Sequence, residues 1–237
     1  MSGDTSGTTT AGRRLVDPTP MRKAIARRMS QSKQQAPHFY LSCEIVMDAA
    51  IAATASLNES ASREERVTLT AMMLKAVALT LADEPEFNAH WTEAGHEVID
   101  DINIGVAIDI PAGLIAPAIV DCRDLDVREF SARLKDLAGR AKQGKLRAAE
   151  LNDATFTLSN LGMFDVSSFT AIVTPPQVAI LATGRSQPLP RVVDGEIVVQ
   201  TIMTATLSSD HRAVDGVGAS RFLGKLKARL DSPQEWL

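Results

Sequence analysis

Four histidines are the only side chains in this 237-residue chain whose ordinary titration falls near neutral pH: His38, His90, His96 and His211. His38 opens a predicted strand after Pro37, His90 stands beside Trp91 in a short strand, and His96 follows Gly95 in a turn. Each of these three reads as a satisfied structural or surface histidine. His211 differs. It lies in the run Leu207-Ser208-Ser209-Asp210-His211-Arg212-Ala213-Val214-Asp215-Gly216, between a long apolar strand and a helix. A polar cluster at such a junction places side chains at a sheet edge or cleft, and loops held by rigid elements are where catalytic groups concentrate. An imidazole there is a candidate general base.

Other chemistry has less support. Cys43 and Cys122 lie far apart and form no metal-spaced cluster, so neither zinc nor a disulfide framework is expected. That fits a reducing compartment, and both thiols are expected to be buried apolar filler. Acidic residues outnumber basic ones 29 to 25, a net charge of -4 that leaves no basic excess for nucleic acid or an anionic membrane. No stretch reaches the ~18 apolar residues of a membrane helix. Residues Met1 to Gly12 are rich in Ser, Thr and Gly and lack the apolar core of a secretory signal, so a cytoplasmic protein is expected.

The elements that must position His211 follow from periodicity. Residues 1–18 read as a flexible leader or linker stump and 19–237 as one domain. Aromatics make up only 4% of the chain, so its core must be aliphatic. Thr19 and Pro20 suit the start of a helix running to about Gln34, with Met21, Ile25 and Met29 on one face. A strand is expected over His38–Met47, a helix capped by Asp48 to Leu57, and a helix apolar nearly all round over Val67–Leu81. Strands follow at Phe87–Trp91, Asn103–Ile110 and Leu114–Val120, the last two joined by a turn at Pro111-Ala112-Gly113. Val127–Lys142 is an amphipathic helix with Phe130, Leu134, Leu137 and Ala141 as its apolar stripe. Strands are then expected at Thr155–Ser159, Phe169–Val173, Val178–Thr183 and Ile197–Leu207, with a hairpin at Asp194-Gly195. A helix over Val217–Leu230 and a short tail close the chain. This order predicts a mixed α/β sandwich of sheet and covering helices, and the absence of G-x-G-x-x-G disfavours a Rossmann fold.

The run from Asp210 to Gly216 resembles the His-x-x-x-Asp-Gly signature of dihydrolipoamide acyltransferases, the core components of 2-oxo acid dehydrogenase complexes, and of the related chloramphenicol acetyltransferases. Thr155-Phe156-Thr157-Leu158-Ser159-Asn160-Leu161-Gly162-Met163-Phe164, followed by Ser167-Ser168-Phe169 and Pro175-Pro176-Gln177, resembles that family's second hallmark. Ile104-Gly105-Val106-Ala107-Ile108-Asp109 with Gly113-Leu114-Ile115-Ala116-Pro117, and the run from Met21 to Met29 followed by Pro37-His38-Phe39-Tyr40, are similar to two further family segments. The similarity runs in order from about Arg22 to the C-terminus. Asp165 stands where the family often has Gly, and Thr174 where Asn is common.

The resemblance implies a chloramphenicol acetyltransferase-like fold and acyl transfer, acetyl favoured, between dihydrolipoamide and coenzyme A. It implies His211 as the base that takes the thiol proton and Ser159 as the hydroxyl that donates to the tetrahedral oxyanion. Asp215 invites a triad reading, but the family pattern pairs this acid with an arginine, here Arg22, as site organisers. The resemblance further implies a homotrimer whose sites join Ser159 and His211 of neighbouring chains, and cages of about 24 or 60 chains, with Trp236-Leu237 as an apolar tip. No metal is implied. Coenzyme A is a substrate, and the lipoyl group comes from another domain or chain, since no lipoyl or subunit-binding domain is present in this sequence. The expected partners are that lipoyl domain, the 2-oxo acid decarboxylase and dihydrolipoamide dehydrogenase. A cage-forming scaffold without turnover, or a free acetyltransferase acting on another small acceptor, are the alternatives.

Overall fold

The computed structural model describes residues 12–111 and 113–237. The leader expected over 1–18 lies largely outside these, and Gly12 to Pro18 are all exposed. Helix α1 (Pro20–Gln35) starts as expected: Thr19 Oγ1 accepts the Arg22 N–H at 3.2 Å and proline takes the first turn. Strand β1 (His38–Val46) leads into α2 (Asp48–Leu57). Asp48 is not the cap of α2. It is the first helical residue, and its carboxylate accepts the N–H of Thr201 instead. Helix α3 (Leu69–Asp83) begins two residues later than expected because Thr68 caps it.

Strand β2 (Ala89–Thr92) and β3 (Gly95–Val98) form a small hairpin, which places His96 in a strand rather than a turn. The expected strand 103–110 divides into β4 (Ile104–Val106) and β5 (Ile108–Ile110), and 114–120 into β6 (Gly113–Ile115) and β7 (Ala118–Ile119). The division has a cause. β4 and β7 join the main sheet, whereas β5 and β6 pair only with each other. Helix α4 (Val127–Lys142) carries a capping box of Asp126 and Glu129, and Phe130, Leu137 and Ala141 are buried. The short α5 (Ala148–Asn152) went unseen in the periodicity.

Strands β8 (Phe156–Asn160) and β9 (Ala179–Thr183) bracket the corrected segment 169–173, which forms no strand. Val173, at its end, is held by side chains instead of a ladder. Ser32 Oγ donates to the Val173 carbonyl at 2.6 Å, and the Val173 N–H donates to His38 Nε2 at 3.0 Å. Strand β10 (Gln187–Val193) turns at Asp194-Gly195, both at positive φ, into the 15-residue β11 (Glu196–Asp210), and α6 (Gly216–Asp231) follows. Among the described residues no helix is long and apolar enough to cross a membrane.

The seven-stranded sheet runs β1-β11-β9-β8-β4-β7, with β10 also paired to β11. It is mixed: β8 is parallel to β4 and β9, and the other pairs are antiparallel. Register assigns the faces. Leu41, Leu207, Leu181 and Leu158 stand opposite one another across four strands, and α3, α4 and α6 pack on that side with Met72, Leu74, Phe130 and Phe222. The next row, Ser42, Thr206, Ala182 and Ser159, points to the other, polar face. Phe222 of α6 lies 5.6 Å from Phe156 of β8 and 5.0 Å from Phe87, measured between ring centroids. The segments that carry Ser159 and follow His211 therefore share one core contact.

Beyond the core, Arg140 of α4 grips buried Glu150 with two 2.6 Å bonds, and the Arg147 N–H adds a third. The Arg140 guanidinium, followed by the Arg147 N–H, holds the Glu150 carboxyl below its ordinary value despite burial. A depressed carboxyl contributes stability that is present above its unfolded value, about 4.3, and is lost as pH falls through the folded one. Glu150→Gln is expected to be less stable than the parent at pH 7, and the gap in urea midpoint should close as the pH approaches 3.

Candidate active site

His211 sits one residue past the end of β11, and its backbone is held from two sides. The His211 N–H donates to the Pro37 carbonyl at 3.0 Å, extending the β1 ladder, and the Asp210 N–H donates to the Val178 carbonyl at 2.8 Å. Asp210, 2% exposed, accepts from the Arg212 backbone N–H and from Nε and Nη2 of the same arginine, at 2.6 to 3.1 Å. The Arg212 guanidinium lies over the Trp91 ring, 4.8 Å from its centroid. Both neighbours of His211 are thus tied down while its own imidazole projects outward.

The other histidines are engaged. His38 Nδ1 donates to the Ala36 carbonyl at 2.8 Å while Nε2 accepts from Val173, which fixes a neutral tautomer. His90 and His96 bond the carbonyls of Ala154 and Glu86. His211 alone makes no side-chain hydrogen bond to another of the described residues. Its ring packs on Phe39, centroids 4.7 Å apart, the diagonal neighbour across the extended ladder.

Ser159 occupies the polar face of β8, 7% exposed, beside Ala182. The structure does not bring it to His211 within one chain. Thr206 is level with Ser159, and from there β11 runs five residues on to His211. That is roughly 16 Å along the strand at ~3.3 Å per residue, plus two strand spacings of ~4.8 Å across. Asp215 and Arg22 are not brought together either. Asp215 is the N-cap of α6, its Oδ1 accepting the Gly218 N–H at 2.8 Å, and Arg22 is exposed on the first turn of α1. The Gly218 N–H, then that of Val217 and the charges of Arg221 and His211, hold the Asp215 carboxyl below its ordinary range.

Past β8, Asn160 Oδ1 accepts the Gly162 N–H, and the chain reaches Asp165 with φ 60°. That left-handed backbone accounts for the glycine preference at this position; Asp tolerates it, and here it pairs with Arg185. The thiols are remote from this chemistry. Cys122 is buried and donates to the Ile119 carbonyl, and burial pushes it up to about 12. Cys43 is only half-buried, not fully as expected, though burial raises it as well.

Comparison with known proteins decides the family. Residues 11–237 match the model of the 2-oxoacid dehydrogenases acyltransferase catalytic domain. The chain belongs to this family. It is 38% identical over 228 residues to the dihydrolipoyllysine-residue acetyltransferase component of the Rhizobium meliloti pyruvate dehydrogenase complex, covering 94% of this chain and 51% of that protein. It thus spans about half the length of the curated relatives it matches. The structure is similar to an Azotobacter vinelandii dihydrolipoamide acetyltransferase (TM-score 0.86, 30% identity, 91% and 90% of the two chains). It is also similar to the cubic core of a pyruvate dehydrogenase multienzyme complex (TM-score 0.86, 29%, 91% and 90%). Chloramphenicol acetyltransferase shares the fold (TM-score 0.58, 16%, 86% and 94%). In the Azotobacter enzyme a serine, a histidine and an asparagine have been investigated for their part in the catalytic mechanism, and they stand 52 and then four residues apart. Ser159, His211 and Asp215 stand at the same intervals.

Sequence reasoning missed Asp210, Arg212, Trp91, Phe39 and Pro37. Asp210 and Arg212 were in plain view as opposite charges flanking His211; Trp91 and Pro37 had no signal, because only the fold brings them near. If Asp215 acts through its cap, Asp215→Ala lowers the melting temperature while Asp215→Asn, which can still accept the Gly218 N–H, leaves it near the parent value. A differential scanning calorimetry series checks this.

Proposed function

We propose that this chain transfers an acetyl group between dihydrolipoamide and coenzyme A, as the catalytic core of a pyruvate dehydrogenase-type complex, with each site built by His211 of one chain and Ser159 of its neighbour. The reading rests on one observation above the rest. The serine and histidine investigated in the Azotobacter enzyme have counterparts here at the same interval, yet the sheet register sets them roughly 16 Å apart along the strands and two strands across within one chain. Two copies are needed to bring them together.

The chemistry follows from the residue types. A free thiol near ~8.5 is mostly protonated at neutral pH. The His211 imidazole takes the proton of the coenzyme A thiol as its sulfur attacks the acetyl thioester carbon. The new C–S bond forms a tetrahedral oxyanion, to which the Ser159 hydroxyl donates. Collapse breaks the bond to the dihydrolipoamide sulfur, and the imidazolium returns the proton to that leaving thiolate. Asp215 sets the start of α6 and adds negative charge beside His211. Arg22, exposed on the first turn of α1, is assigned with Asp215 to organising the site, the two meeting across the contact between chains. The family pattern supports a trimer, and the likeness to a cubic core supports a larger cage; the lipoyl group comes from another domain or chain, and the decarboxylase and dihydrolipoamide dehydrogenase are its partners.

The test is acetyl transfer from acetyl-CoA to dihydrolipoamide, followed as thioester formation. His211→Ala should abolish turnover, and Ser159→Ala should lower kcat by about 10²–10³. Co-expressing the two inactive chains should restore about a quarter of parental activity, since random assembly pairs an intact serine with an intact histidine in that share of sites. No recovery would place both groups on one chain and overturn the reading, and turnover by His211→Ala would remove the base.

A further inference from the structure

The loop after Ser159 exposes two large apolar side chains, Met163 at 80% and Phe164 at 58%. The loop itself is well braced. The Leu161 N–H donates to the Thr183 carbonyl at 3.0 Å, the Phe164 N–H to the Leu161 carbonyl at 3.0 Å, and the Arg185 N–H to the Val166 carbonyl at 2.8 Å. Asn160 Nδ2 reaches Thr70 of α3 at 3.2 Å, and Asp165 pairs with Arg185. Gly184 allows the tightest approach: a Cβ there would lie 2.0 Å from the Ser167 carbonyl oxygen. A braced turn that holds methionine and phenylalanine in water loses their burial energy unless something covers them.

On the segment that follows His211 stands a third exposed apolar residue. Val217, 66% exposed, is two residues past the Asp215 cap on the first turn of α6. An arrangement that brings a neighbour's His211 to Ser159 also brings the first turn of that neighbour's α6, which begins five residues after His211, towards the turn that follows Ser159. We infer that Met163 and Phe164 of one chain pack against Val217 of the next, as an apolar seal at the edge of the shared site. The occupant of this surface is a second copy of this chain, and the inference rests on the inter-chain reading above. The seal excludes water from one side of the reacting atoms and supplies the central apolar anchor that the polar sheet face lacks.

All three residues are exposed in a single chain, so changing them leaves the core intact, which a melting curve verifies. Met163→Lys alone and Val217→Asp alone are each expected to shift sedimentation towards single chains and to lower the transfer rate at least tenfold in dilute solution. Carried together on one chain, they place a lysine of one copy against an aspartate of the next and should recover both assembly and most of the rate. The contact is overturned if either single variant assembles and turns over like the parent, or if the double variant gains nothing over the singles. The co-expression of His211→Ala with Ser159→Ala reports separately: recovery there, with unaffected single variants, rejects this contact while keeping the shared site, and no recovery rejects the shared site itself.

Discussion

The pairing of β11 constrains everything else. It is 15 residues long, matched along nine positions to β1 and five to β9, with β10 on its early half. A one-residue slip in any of these ladders would turn the leucine row towards solvent and the serine-threonine row into the core, so register is strongly specified. Fixing β11 against β9, and β9 against β8, also fixes the distance between Ser159 and His211. The separation of Ser159 from His211 within one chain is thus a by-product of the same leucine packing that stabilises it.

The end of that strand is made rigid by polar rather than apolar means. Asp210 is buried, and Arg212 neutralises it through two side-chain nitrogens and a backbone N–H while stacking on Trp91. The pairing keeps the Arg212 guanidinium charged more firmly than usual. Five residues on from Asp210, Asp215 accepts the Gly218 N–H of α6, so the turn is closed by an acid at each end. Between them the imidazole makes no side-chain hydrogen bond to another of the described residues. The His211 ring is oriented by its backbone, through the Pro37 carbonyl, and by the face of Phe39.

Much of this was legible from residue order. The stripe of α4, the cap at Thr19 and the hairpin turn at Asp194-Gly195 are local patterns, set by chemistry within a few residues, and they appear as expected. The errors are equally instructive. Asp48 has the type of a cap but bonds Thr201, 153 positions away, because β11 passes beside it. Residues 169–173 have strand-like composition, yet His38 and Ser32 satisfy Val173 first, so no ladder forms. Segment 103–110 alternates as one strand, but only its first half finds partners in the sheet.

By itself the sequence determined which groups exist and at what intervals: one histidine in a polar junction, a serine 52 residues before it, and an acid four residues after. Those intervals set local geometry because strands, turns and caps depend on near neighbours. The tertiary structure decided what those groups can reach. Burial of the leucine row, summed over four strands, outweighs any local preference. It is that long-range packing, invisible to residue order, which parts Ser159 from His211 and sets Pro37, Phe39 and Trp91 around the strand end.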